Sequence, residues 1–255
     1  PNGVAIGPGN VIYVADTDNH RVQIFDSNRI YQNTLGETGV SGSDNSHFNG
    51  PMGVTVDASG NIYVADAWNC RVQVFNSSRV YQRTLGTTGE WGDDFDHFSE
   101  PGDVAVDASG RIYVADRWNH RIQVFDSSGA YLTTIGGSWG SRTGELRGPY
   151  GVDVDSAGNV YVADSDNSRI QKFAPGVPGW EQVNVNGFGN RRNGRVLSLA
   201  VFSDTLYAST RNEDTGGEIW RMGSSWTAVI TGGLGYAYNV GINHLIEFKG
   251  NLYAG

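Results

Sequence analysis

An all-β fold built from repeated four-stranded units is predicted by three features of this 255-residue sequence. The string Tyr-Val-Ala-Asp recurs at Tyr13–Asp16, Tyr63–Asp66, Tyr113–Asp116 and Tyr161–Asp164, at offsets of 50, 50 and 48. A second repeat follows, in which Gly179–Asn190 is echoed by Ser225–Tyr236 and Leu206–Ala208 by Leu252–Ala254, each at an offset of 46. Between these strings lie short β-rich runs punctuated by turn residues, and the chain holds 36 glycines. Four short strands repeated every 45–50 residues or so are what a blade of a β-propeller requires.

The second unit shows the pattern most clearly. Its runs are Val54–Asp57, Ile62–Asp66, Arg71–Phe75 and Tyr81–Leu85, with a hairpin signal at Ser59-Gly60-Asn61. Both faces of these strands carry apolar residues, so the sheet needs partners above and below. The first unit begins on an innermost strand at Val4–Ile6. The fourth supplies Val152–Asp155, Val160–Asp164 and Arg169–Phe173, and takes Glu181–Val185 as its outer strand. The fifth reads Val196–Phe202, Thr205–Ser209, Glu218–Met222 and Trp226–Ile230. The sixth offers only Asn243–Phe248 and Asn251–Ala254. The expectation is one propeller domain over residues 1–255, with four blades of one type in 1–176, then one complete and one partial blade of a second type in 177–255. A two-stranded last blade leaves an uncovered edge, which favours strand-edge association.

The first four units resemble NHL repeats. Asn19-His20-Arg21 and Asn119-His120-Arg121 carry the resemblance, within the wider pattern Pro-x-Gly-Val-x-Val-Asp, Gly-Asn-Ile-Tyr-Val-Ala-Asp and Tyr-x-x-Thr-Leu-Gly. Two copies depart at the middle position, as Asn69-Cys70-Arg71 and Asn167-Ser168-Arg169. The resemblance implies a propeller scaffold. Propellers of this kind include lyases that work from a channel carrying metal or histidine, so a channel-site lyase or hydrolase is one alternative function. A sensor domain of an exported receptor is another.

Composition narrows the partners. The formal net charge is −9, and all of the excess lies in residues 1–176, which hold 21 acids and 12 bases. An acidic surface repels phosphate backbones, which argues against nucleic acid. No run is long and apolar enough for a membrane-spanning helix, and no basic and apolar leader is visible at the start. A single cysteine, Cys70, precludes an intrachain disulfide. Such sparing use of cysteine fits an extracellular or periplasmic protein.

Blade parity sorts the remaining residues. In strands a, b, c and d, the b–c and d–a connections share one face. The d–a loops Glu37–Gly50, Thr87–Glu100 and Gly137–Gly148 are long, and long loops on a rigid scaffold carry function. That face collects Trp68 and Trp118 from b–c turns and Trp91 and Trp139 from loops. Exposed aromatic faces beside polar groups suit sugars and protein side chains. The expected function is therefore a binding or scaffold module for a polysaccharide or protein ligand. The competing reading is that these tryptophans pack against neighbouring loops.

Four Asp–Arg pairs read as structural: Asp16 with Arg21, Asp66 with Arg71, Asp116 with Arg121, and Asp164 with Arg169. A group needed in every blade closes turns; catalysis needs it once. Cys70 fills a histidine slot as a small substitute. His47 and His97 stand at equivalent loop positions, and His244 stands alone on a predicted innermost strand. No cofactor is expected, although Asp93, Asp94 and Asp96 form a candidate Ca²⁺ cluster. The loop from Gly187 to Arg195 carries Arg191, Arg192 and Arg195, suited to an anion or to balancing the acidic blades.

Overall fold

The computed structural model of the protein describes residues 1–174, 180–184, 186–190, 192–202, 205–231, 241–248 and 251–254. It is a β-propeller of four-stranded blades. Blade 1 contains β1 (Gly3–Gly7), β2 (Val11–Asp16), β3 (Arg21–Phe25) and β4 (Tyr31–Leu35). Blade 2 contains β5 (Pro51–Val56), β6 (Ile62–Asp66), β7 (Arg71–Phe75) and β8 (Tyr81–Leu85). Blade 3 contains β9 (Pro101–Val106), β10 (Ile112–Asp116), β11 (Arg121–Phe125) and β12 (Tyr131–Gly136). Blade 4 contains β13 (Pro149–Val154), β14 (Val160–Asp164), β15 (Arg169–Phe173) and β16 (Trp180–Gln182). Blade 5 contains β17 (Asn193–Phe202), β18 (Thr205–Asn212), β19 (Ile219–Met222) and β20 (Trp226–Ile230). A two-stranded sheet follows, β21 (Leu245–Phe248) with β22 (Asn251–Ala254). Within every sheet the strands neighbour one another in chain order. The chain divides into two compact units, Pro1–Asn119 with Gln123–Thr134, and His120–Ile122 with Ile135–Gly255. No helix among the described residues is long and apolar enough to cross a membrane.

Strand alternation explains how the first unit packs. In β6, Ile62 and Val64 point into a cluster with Ala5, Ala15, Ile24 and Phe48 on the blade 1 side. Tyr63 and Ala65 point the other way, into a cluster with Phe98, Val104 and Val114 on the blade 3 side. β6 is thus apolar on both faces because blade 2 is covered on both faces. Fully burying one such side chain contributes about 1.5–3 kcal/mol. The second unit repeats the logic, with Tyr161, Ala163 and Ile170 of blade 4 against Val196, Leu199 and Ala208 of blade 5.

Several boundaries differ from the sequence expectation; in blade 5, β17 starts at Asn193 and not Val196, β18 runs on to Asn212 and β19 starts at Ile219. The innermost strands of blades 2 and 4 begin at Pro51 and Pro149, earlier than Val54 and Val152. A register shift separates each proline from the regular alternation, and proline, lacking an N–H, is tolerated at a strand's first residue. The outer strand of blade 4 ends at Gln182, and the Asn184 side chain takes over the ladder: its Oδ1 accepts the Ile170 N–H at 2.6 Å; Val185, the expected end, lies outside the described residues. The last sheet begins at Leu245 and not at Asn243. Ile242, just before it, accepts a bond from Ser209 Oγ at 2.6 Å and so is drawn to β18.

The turns follow from local chemistry. In the a–b turn of blade 2, Asp57 Oδ1 accepts the N–H groups of Ser59 and Asn61, and Gly60 takes φ 83°. Asp107 and Asp155 repeat this arrangement in blades 3 and 4. An aspartate that bonds its own backbone two residues on is a built-in turn former.

Candidate ligand-binding surface

The long loops entering blades 2 and 4 fold around the aspartate and arginine of those blades. Asp66 lies directly opposite Arg71 across β6 and β7. Asp66 Oδ2 accepts Arg71 Nε at 2.8 Å and Asn69 Nδ2 at 2.8 Å, while Oδ1 accepts the Asn49 N–H at 2.6 Å. The rest of the Arg71 guanidinium donates to the carbonyls of Ser43, Asp44 and His47, at 2.7, 2.7 and 3.0 Å. Blade 4 repeats the set, with Arg169 bonded to Asp164 and to the carbonyls of Ser141, Arg142 and Glu145. In blade 3, Asp116 accepts the Ser99 N–H and Asn119 Nδ2. Blade 1 has the Asp16–Arg21 bond at 2.8 Å, and its Arg21 Nη1 donates to Thr38. Burial pushes the Asp66 and Asp164 carboxyls up, against the bonds they accept. In Asp16 burial acts in the same sense, but the bonds from Asn19 and Arg21 outweigh it and hold the group below the usual carboxylate range.

The variable middle residue of Asn-His-Arg has one task in all four copies. His20, Cys70, His120 and Ser168 each adopt φ between 54° and 56° and close the b–c turn. Each reaches the end of the next long loop. His20 Nδ1 accepts the Gly50 N–H and His120 Nδ1 the Gly148 N–H, both at 3.1 Å. The Glu100 backbone bonds Cys70, and Ser168 Oγ donates to the Gly194 carbonyl at 2.8 Å. Cys70 is buried, and burial pushes its thiol up, away from nucleophilic reactivity.

Trp68 and Trp118 sit on the b–c turns of blades 2 and 3, 46% and 45% exposed; Trp91 sits in the loop before blade 3, 72% exposed. The two tryptophans of blade 3 are tied together through the backbone. Asn119, next to Trp118, donates to the carbonyl of Gly92, next to Trp91, at 2.7 Å. The Trp118 indole N–H donates to Glu100 at 3.0 Å, and Arg117, itself bonded to Glu100, lies 4.6 Å from the ring centre. Trp68 packs on Gly50, where any Cβ would strike the ring. In the second unit Trp139 is 64% exposed, with Arg147 at 5.3 Å from its ring. The sequence reading missed Phe95, which is 58% exposed and stacks on Tyr131 at 4.5 Å. Its signal was an aromatic residue in the place of Asn45, between the aspartate and histidine that the strings Asp44–His47 and Asp94–His97 share.

His47 and His97 clamp their own loops. His47 Nδ1 lies 2.8 Å from Asp44 and Nε2 3.4 Å from Glu37; His97 Nδ1 lies 2.6 Å from Asp94 and Nε2 3.6 Å from Glu90. The bonds to Asp44 and Asp94 hold both imidazoles above their ordinary value. Asp94 is thereby engaged with His97 and with the Asp96 N–H. Among the described residues, Asp93, Asp94 and Asp96 form no group of three or more side chains placed to hold a metal ion. His244 precedes β21 and is not within it. Arg191 lies outside the described residues. Asp153, unremarked in the sequence, stands in β13 where blade 2 has Thr55 and blade 3 has Ala105. Burial pushes its carboxyl up to about 6, against the N–H groups of Val201 and Val154 that it accepts.

A family model described as the NHL repeat matches residues 1–25, 48–75, 98–125 and 146–173. No curated protein matches the chain in sequence. Among solved structures, the chain is similar to hydrazine synthase of Kuenenia stuttgartiensis at 12% identity and a TM-score of 0.64, over 89% of this chain and 65% of that one. It is also similar to a structural-genomics protein of unknown function from Bacteroides thetaiotaomicron VPI-5482 at 17% identity and a TM-score of 0.68, over 99% of this chain and 65% of that one. The chain therefore spans 65% of the length of each. At such identities the likeness shows the fold.

Proposed function

Because NHL repeats are spread across its first 173 residues, we propose that the chain is a binding module whose tryptophans receive a polysaccharide. The observation that carries the reading is the pair on blade 3: Trp91, 72% exposed, is linked through Gly92 and Asn119 to the turn that holds Trp118. Large aromatic rings held rigidly in water gain free energy by being covered, and an indole face accepts the C–H face of a sugar ring. Glu100 and Arg117 at the edge of Trp118 offer an acceptor and donors for sugar hydroxyls. Trp68 offers a related surface one blade earlier, at the same turn position. Trp139 is presented in the same manner by the loop before blade 4.

The test is a Trp91→Ala/Trp118→Ala variant compared with the unaltered protein on an array of polysaccharides and oligosaccharides. The expected result is binding by the unaltered protein and about a tenfold or greater loss in the variant, with an unchanged melting temperature. Normal binding by a folded variant removes the tryptophans from recognition. A variant that merely unfolds assigns them to loop packing. Capture of a protein ligand with no saccharide bound replaces the polysaccharide by a protein surface.

A further inference from the structure

Blade 5 holds an arrangement that its own stability does not explain. Arg195 and Arg211 are directly opposite one another across β17 and β18. Like charges at directly opposed positions in an antiparallel pair are destabilising. With Arg192 they line a cleft of about 450 Å³, completed by Gly194, Glu213 and Asp214. Each guanidinium meets one carboxylate through a single nitrogen: Arg192 Nε to Asp214 at 3.2 Å, Arg195 Nε to Asp166 at 3.2 Å, and Arg211 Nη2 to Glu213 at 2.9 Å. None is the two-pronged pairing at which arginine excels. The Arg211 Nε is buried and bonds no partner among the described residues. Two opposed cations with unused donors, beside an open cleft, fit a ligand that brings its own anion.

We propose that this cleft binds the carboxylate of an acidic saccharide, a uronate unit. The charge set selects the anion. Three arginines face three protein carboxylates, so the cleft is close to neutral, and a doubly charged phosphate would meet Asp166, Glu213 and Asp214 at close range. A singly charged carboxylate exchanges with a protein carboxylate like for like. Exposed ion pairs of this kind are weak, about 0–1 kcal/mol each, so the exchange costs little. Gly194 leaves open space beside Arg195, with no atom of the described residues within 4 Å of the position of a Cβ. The saccharide skeleton rests on the reading of the tryptophans given above; the carboxylate preference rests on the arginines alone.

The experiment measures binding of a short oligogalacturonate and of the same oligomer after reduction of its carboxyl groups. The unaltered protein is expected to prefer the acidic oligomer by about tenfold or more, since charge-assisted bonds to arginine are roughly twice as strong as neutral ones, and the preference should shrink with added salt. In Arg195→Gln/Arg211→Gln the two oligomers should bind equally, and Arg195→Lys/Arg211→Lys should retain part of the preference. Both positions are partly exposed, and circular dichroism confirms that the variants fold. Equal binding of the two oligomers by the unaltered protein overturns the proposal, as does a preference that survives in the glutamine variant. Loss of both oligomers together in Trp91→Ala/Trp118→Ala speaks to the tryptophan reading alone. Binding of poly-glutamate but of neither oligomer overturns the saccharide skeleton and this proposal with it.

Discussion

In blade 2 the loop entering the innermost strand wraps around a buried ion pair, Asp66 at 0% and Arg71 at 1% exposure. In blade 5 the ends of β17 and β18 close on a buried carboxylate, Glu218, with no arginine bonded to it among the described residues. Glu218 accepts Asn193 Nδ2 at 2.7 Å and the Trp220 indole N–H at 3.0 Å, and Asn212 Nδ2 extends the network to Asn193 at 2.9 Å. Both solutions bury a carboxylate and satisfy it, as burial demands. They differ in what the donors do besides. Arg71 has donors left over after Asp66, and it spends them on three loop carbonyls. Asn193 and Trp220 are small in donor capacity and hold only their own blade and the turn at Gly187. One arrangement organises a long loop; the other seals a sheet end.

The largest expected effect comes from removing the loop organiser. Arg71→Ala leaves Asp66 buried and short of its main counter-charge, strips the Ser43 and Asp44 carbonyls of this donor, and leaves the His47 carbonyl with Gln73 Nε2 alone. The expected cost is about 3–5 kcal/mol. Arg21→Ala in blade 1 is the internal control. Its pair is 19% and 12% exposed and it bonds no long-loop carbonyl, so the expected cost is about 1 kcal/mol or less. Denaturant unfolding of the two variants measures the gap, and equal losses would show that the loop carbonyls contribute nothing.

The intermediate effect separates the two carboxylates. Asp66 uses both oxygens as acceptors of firm bonds, so Asp66→Asn turns an NH₂ group toward a donor and weakens the arginine bond; about 2–3 kcal/mol is expected. Glu218 directs its two short bonds to one oxygen, Oε2, and its other contact, Asn190 Nδ2, stands at 3.5 Å. A glutamine with its oxygen at that place keeps both short bonds, so Glu218→Gln should cost about 1 kcal/mol or less. A reversed order would mean that blade 5 depends on the ionised carboxylate as much as blade 2 does.

This contrast also marks what the sequence made legible. The Asp–Arg pairing could be read because five residues separate the partners across a two-strand hairpin. The loop carbonyls could not, because Arg71 meets them 24 to 28 residues away and a carbonyl carries no residue-type signal. The same limit hid the shared task of His20, Cys70, His120 and Ser168. Their side chains differ, and only the common left-handed turn aims each at the next loop. The exposed tryptophans were legible by position, since strand parity assigns turns to faces. Phe95 was not, because a phenylalanine in a loop of this pattern reads as an anchor, as Phe48 and Phe98 are, both buried. Blade 5 was readable as four strands, yet its network was not: Asn193 recurs at the 46-residue offset as Asn239, but the counterparts of Asn212 and Glu218 would fall beyond residue 255, so no second copy shows the three as a set.

The smallest effect concerns pH and sets the two kinds of loop fastening side by side. A guanidinium does not deprotonate in proteins, so the arginine hold on residues 43–47 should not vary with pH. The histidine clamps should. The folded-state values of His47 and His97 lie above the ordinary 6.5, raised first by Asp44 and Asp94 and then by Glu37 and Glu90. A group raised in this way contributes stability that is fully present below the unfolded value and is lost as pH rises through the folded one. Loops 37–50 and 87–100 should therefore be tightest in mild acid and loosen toward alkaline pH, while the strands beside them do not change. The imidazole resonances should titrate with midpoints above about 6.5. Amide exchange in residues 87–98, corrected for its intrinsic pH dependence, should speed up across the same interval, and His97→Gln should flatten that response while leaving the loop before blade 2 pH-sensitive. Because both clamps are exposed to solvent, added salt should weaken the response as well. A loop that loosens at the same pH in His97→Gln would place the titrating group elsewhere.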